Sequence, residues 1–343
     1  MNRAFSLGLC GLVISVALLA PTPTHSQVEP PITAGLRSHF TRIKHTYSIV
    51  ARDPATGEMG VAVQTHVPFV GVGVPWAEAG VGAVATQSVT DPNYGKLGLE
   101  MMRAGKSAPT ALKSLLAGDD DRENRQVGMI DSQGRVAAHT GNKCIEAAGH
   151  RTGKDYSVQA NLMANNRVWP AMAKAFESAK GDLAERMLAA LDAAQKEGGD
   201  LRGMQSAALI VVAGKATGDL DKDRPIDLRV DESTEPLKEL RRLLTVRRAG
   251  NYADAGWEAG ERNDLDGLNR GFNMAAKLLP DDPEIAFWHG VFLLKLDRVE
   301  DSLPQFRRAF AHGKNWRELL PRCVKAGILP DNKAALKKVL ELP

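Results

Sequence analysis

With 343 residues, 43% of them hydrophobic and 25% charged, the chain has the make-up of a soluble globular protein, long enough for one large or two ordinary domains. Its 44 Lys and Arg against 41 Asp and Glu leave a net charge of +3, which argues against nucleic acid as a partner. Three cysteines, without CxxC, HExxH or a clustered His/Cys set, suit isolated thiols better than a disulfide framework and support neither a metal site nor a cofactor.

Residues 1–26 carry the marks of a secretory signal. Arg3 is the positive start, Leu7 to Ala20 the apolar run, and the polar stretch to Ser26 ends in a plausible cleavage site. The run is too short for a comfortable membrane span, so an exported protein, periplasmic or secreted, without a transmembrane segment after signal removal is expected. Residues 27–44 contain Pro30-Pro31 and no periodicity, and read as a linker.

The densest strand signal follows. Tyr47, Ile49 and Ala51 alternate with Thr46, Ser48 and Arg52, and the turn Asp53 to Gly57 leads into Gly60 to Val63. Gln64, Thr65 and His66 close that strand, and Gln87 and Ser88 close another. Two helices are predicted from Tyr94 and Ser107, then a hairpin about Asp131 to Gly134, a strand Tyr156 to Leu162, and helices at about 166–180 and 182–197. Strands at Ser206 to Val212 and Asp227 to Val230 complete the block. Strands, helix pair, strands, helix pair and strands fit an α+β chain with two stacked antiparallel sheets between helices. Arg241-Arg242 and Arg247-Arg248 read as a solvated helix face.

From about 235 the pattern is helical. An offset of 34 residues relates Gly256 to Gly290, Phe272 to Phe306 and Ala275 to Ala309. That period resembles tetratricopeptide repeats, with units at about 249–282 and 283–316 and a cap beyond. The expected division is a domain over 45–232, able to fold without the C-terminal helices, and a small all-α domain over 235–343 that could hold a protein partner.

HTYSIVARDP, GVAVQTH, GVGAVATQS, PNYGKLGLEMMRAG, TGNKC, YSVQANL and QSAALIVV occur in one order that resembles the domain-of-unknown-function family 1028. The resemblance implies an N-terminal-nucleophile (Ntn) hydrolase type of fold, a four-layer αββα sandwich. By analogy it implies attack on an amide-type bond of a small-molecule or peptide-like ligand. In that architecture the nucleophile opens the first strand, which makes Thr46 first choice; otherwise Thr46 simply starts a strand. Its amine becomes free only if the His45–Thr46 bond is cut, and Ser48 is the substitute. His66 is a candidate base and Asn161 a candidate oxyanion donor; Gln64, Thr65, Gln87, Ser88 and Gln159 are candidates to line the cleft. Cys144 with His150 reads more readily as a structural cysteine and a separate histidine. The competing function is a non-catalytic exported binding or scaffold protein, and a homo-oligomer is compatible with either.

Overall fold

The computed structural model describes residues 43–343, so the signal and nearly all of the linker lie outside the described residues. Two antiparallel sheets form the centre. The first contains β1 (Ile43–Lys44), β4 (Pro75–Glu78), β5 (Gly82–Val89), β6 (Arg125–Asp131) and β7 (Val136–Thr140), in the order β1-β5-β6-β7 with β4 also on β5. The second contains β2 (Thr46–Arg52), β3 (Met59–Thr65), β8 (Gly149–Gly153), β9 (Tyr156–Ala160), β10 (Ser206–Val212) and β11 (Ile226–Val230). Its order, β11-β10-β3-β2-β9-β8, makes β2 an inner strand.

Alternation decides what each face meets. Val50, Val61 and Val63 of the second sheet share a cluster with Ala83, Ala85 and Ile130 of the first, so the two sheets stack. The opposite face of the second sheet, with Ile49, Val158 and Leu209, packs on α3 (Val168–Ser178) and α4 (Leu183–Lys196) through Met172, Phe176, Met187 and Leu191. Val84, Val127 and Met129 cover the outer face of the first sheet, against Leu99 and Met102 of α1 (Asn93–Arg103) and Leu112 of α2 (Ala108–Ala117). The layers therefore run helices, sheet, sheet, helices. Local signals behave as their chemistry requires: Ser107 and Asp182 accept from Thr110 N–H and Glu185 N–H at the starts of α2 and α4. After a short helix, α5 (Leu220–Asp223), and β11, the rest is helical.

The helical part begins with α6 (Pro236–Glu261), which crosses the expected domain line as one continuous rod. Leu237, Leu240 and Leu244 on its first half belong to the sandwich core. Arg241 pairs with Glu185 and Asp192, and Arg248 with Glu185 and Asp182, partners on α4 or, for Asp182, capping it. These arginines are not merely a solvated face; they fasten the helix to the sandwich, whose core extends past 232. Leu240, completely buried, should cost about 2–5 kcal/mol of stability when changed to Ala, read from urea unfolding at constant slope.

The remaining helices are α7 (Leu265–Leu278), α8 (Pro283–Lys295), α9 (Val299–Phe310), α10 (Lys314–Lys325) and α11 (Lys333–Leu340). The period of 34 has a packing cause. Phe272 lies over Gly256 and Phe306 over Gly290 so closely that a Cβ on either glycine would sit about 3 Å from its ring. The left-handed residues ending α6 and α8, Asn263 and Asp297, stand at the same offset. His289, buried in α8, stacks on Phe272 and bonds through Nε2 to Asn269 Oδ1 at 2.8 Å. Burial, then Arg308, lowers its pKa to about 4. Because the folded form resists the proton that the unfolded form takes up near pH 6.5, stability is complete above that value and falls as pH drops towards 4. The expected loss is about 3 kcal/mol, seen as a falling thermal midpoint that His289→Gln should flatten.

Candidate active site between the sheets

Between the sheets an apolar cluster adjoins a second group of buried amides and hydroxyls. The polar group starts at Thr46, the first residue of β2 and fully buried. Thr46, Ser48 and Val50 share one face of β2, and the register Thr46↔Thr65 and Ser48↔Gln159 brings β3 and β9 alongside. From the facing sheet come Gln87 and Gln126, directly paired across β5 and β6.

These side chains are joined into one network. Ser48 Oγ donates to Gln87 Oε1 at 2.6 Å and accepts from Gln159 Nε2 at 2.6 Å. Gln87 Nε2 donates to Gln126 Oε1 at 2.7 Å and to the Thr46 carbonyl at 3.0 Å. Asn161 Nδ2 donates to the same Gln126 Oε1 at 2.8 Å, and Gln126 Nε2 donates to the Ala160 carbonyl at 2.9 Å. Asn161 backbone N–H donates to the Thr46 carbonyl at 3.1 Å, which ties the residue to the head of β2. Every one of these side chains is completely buried, where an unpaired polar group costs about 1–3 kcal/mol, so the network fixes its members in place. Ser88 and Leu162, the residues after Gln87 and Asn161, take positive φ of 68° and 58°, strain of the sort that persists where a site holds it.

His45 supplies the other wall. It is only 5% exposed and its Nδ1 lies 2.7 Å from Asn161 Oδ1. Since Asn161 Nδ2 donates to Gln126, its oxygen accepts, and His45 carries its proton on Nδ1. Burial lowers the imidazole pKa, with the Asn161 bond opposing and Arg202 assisting, so the ring is neutral at pH 7. The His45 carbonyl, the group acylating Thr46 nitrogen, accepts from Thr65 Oγ1 at 2.6 Å and from Arg202 Nη2 at 2.9 Å. Arg202 is itself held by Asp200, fully buried, through Nε at 3.0 Å and Nη2 at 2.8 Å.

The structure thus gathers Thr46, Ser48, Thr65, Gln87, Gln159 and Asn161 and separates the other candidates from them. Gln64 faces away, on the side of Tyr47 and Ala62, and donates to the Thr65 carbonyl. His66 touches the region through its backbone N–H to Asp200 Oδ2 at 3.3 Å, while its buried Nδ1 has no partner. Ser88, in the left-handed conformation, is off the network beside Cys144. Cys144 points its Sγ at the Arg125 carbonyl, burial raises its thiol pKa, and His150 bonds instead to Thr140. Gln126, His45, Asp200 and Arg202 were not anticipated. Nothing in the spacing of Gln126 marks it, whereas the charged Asp200 and Arg202 stand shortly before the buried strand Ser206–Val212, a polar signal that is legible in the sequence.

Ser48 donates to one neutral amide and accepts from another, and neither can take its proton, so these partners give the substitute nucleophile no base. A cavity of about 660 Å³, lined by Glu78, Val212, Asp223, Arg224 and Arg247, lies at the other end of the strands, where Val212 pairs with Met59 rather than Thr65.

The model of a family of unknown function, DUF1028, matches residues 46–240, beginning at Thr46 and ending inside α6. Among solved structures, the chain is similar to the crystal structure of protein SPO2555 from Silicibacter pomeroyi, a DUF1028 protein, with 30% identity over 61% of this chain and 92% of that one and a TM-score of 0.55. No curated protein matches. With the motifs, the layered sheets and a match over more than half its length in agreement, the chain belongs to the DUF1028 family.

Proposed function

We propose that the protein is an exported hydrolase of the Ntn type, cleaving an amide-type bond of a small or peptide-like substrate, with Thr46 as nucleophile. The observation that carries this reading is the position of Thr46. It opens an inner strand, is fully buried, and lies where the polar network meets a carbonyl already gripped by two donors. With His45 attached the threonine nitrogen is an amide and no base. Once the His45–Thr46 bond is cut, the amine, of ordinary pKa near 7.7–8.0, can take the hydroxyl proton. Removal of the preceding chain would also open the buried hydroxyl to substrate. Asn161, locked by Gln126, then offers its amide beside the reacting carbonyl.

An electrophilic carbonyl probe should leave a covalent adduct on Thr46 of the mature chain, located by peptide mass analysis. Asn161→Ala should slow turnover about a hundredfold with ligand binding little changed, the scale of losing one oxyanion donor. Absence of any adduct on Thr46 would oppose the reading.

One observation favours a second reading, a binding protein built on tetratricopeptide-like helices. A groove of about 330 Å³ between α6, α7 and α8 is lined by Trp257, Trp288, Ile285 and Leu279 and edged by Asp254 and Glu284. Retained ligand binding without labelling would favour it.

A further inference from the structure

We infer that Thr65 and Arg202 are the catalytic pair that activates the His45–Thr46 peptide bond for scission by the chain itself. The inference rests on the Thr46 reading above and adds the groups that act on the carbonyl. A backbone carbonyl at the head of a strand ordinarily finds a neighbouring N–H. That of His45 instead takes a hydroxyl and a guanidinium, from residues 20 and 157 positions away, at 2.6 and 2.9 Å. Charge-assisted and hydroxyl donors at such distances withdraw electron density from the carbonyl carbon and gain strength as its oxygen becomes negative.

The charge balance suits a reacting carbonyl better than a resident anion. Asp200 takes both Nε and Nη2 of Arg202 and neutralises it, so the seat carries little net charge until an oxyanion forms. Asp200 also accepts the Arg202 backbone N–H at 2.9 Å, which pins the turn that carries the guanidinium. It is a positioning residue. The other side of His45 is held by Asn161, so the acyl group is fixed at both ends. A group that is this firmly oriented loses little further entropy on reaching the transition state.

The step balances as follows. Thr46 Oγ forms a bond to the His45 carbonyl carbon, and the carbonyl π pair moves to its oxygen, held by Thr65 Oγ1 and Arg202 Nη2. As the pair returns, the bond to Thr46 nitrogen breaks, and that nitrogen gains the proton lost by Oγ. The result is an ester of His45 on Thr46 Oγ beside a free α-amine. Water then hydrolyses the ester, giving the His45 carboxylate and restoring the hydroxyl. The same two donors are left facing the free nucleophile.

The test is a time course of intact mass on the freshly produced full chain. Wild type should yield a fragment beginning at Thr46. Thr65→Val and Arg202→Met, which keep much of the shape and remove the donor, should each slow its appearance about a hundredfold, the usual effect of losing an oxyanion donor. Thr65→Ser and Arg202→Lys, which keep a donor, should cut faster than their partners, and this comparison holds if Thr65→Val fails to fold. Asp200→Asn, keeping an oxygen for Arg202, should retain more of the rate than Asp200→Ala. Cutting of folded Thr65→Val and Arg202→Met at the wild-type rate would overturn the pair while leaving Thr46 in place. A wild-type chain that is never cut would overturn both.

Discussion

Replacing Thr46 by alanine should leave the His45–Thr46 bond intact and reduce hydrolysis by on the order of a thousandfold or more, the scale of removing a nucleophile. The side chain is small and sits at a strand end, so the fold should survive, as circular dichroism would show. Thr46→Ser keeps the hydroxyl and should keep both cutting and labelling. Ser48→Ala gives the contrast. It strands Gln87 Oε1 and Gln159 Nε2 in a dry interior, which costs about 2–4 kcal/mol of stability, but it removes no proposed reacting atom. If Ser48→Ala silenced the protein at unchanged stability, the assignment of roles along β2 would be wrong.

The second large effect falls on a residue with no proposed contact to substrate. Gln126 accepts from Gln87 and Asn161 with one oxygen and donates to Thr140 Oγ1 and the Ala160 carbonyl with its nitrogen. Gln126→Leu fills the same space, leaves the buried Asn161 Nδ2 without a partner, and takes one acceptor from Gln87 Nε2 and one donor from the Ala160 carbonyl. At about 1–3 kcal/mol for a stranded buried group, with less for the weakened ones, a loss of about 2–4 kcal/mol is expected, a substantial part of the stability of an ordinary domain. Urea unfolding at constant slope measures it. A loss below about 1 kcal/mol would mean that the amides re-pair readily and that the network does not hold Asn161 in place.

The strands were legible because their apolar residues alternate, and the caps at Ser107 and Asp182 because those side chains satisfy otherwise unpaired helix N–H groups. The same alternation already divides Gln64 from Thr65, since neighbours on a strand face opposite ways; proximity in sequence made them look like one site. What could not be read was register. Gln87 meets Gln126, and Arg202 meets His45, only because particular strands and turns are placed against one another. The strand Gly149–Gly153 went unpredicted because it is a polar, partly exposed edge without a pattern to betray it. The start of α6 was more accessible. Leu237, Leu240 and Leu244 form an apolar stripe at helical spacing, and such a stripe needs a partner; the sandwich supplies it.

The central claim is that Thr46 works as an N-terminal residue, and the first mass measured at the amino end of the mature, active protein tests it most directly. The account predicts a chain beginning at Thr46, where the family match also begins. An active protein whose chain runs unbroken through His45 and Thr46 would contradict it.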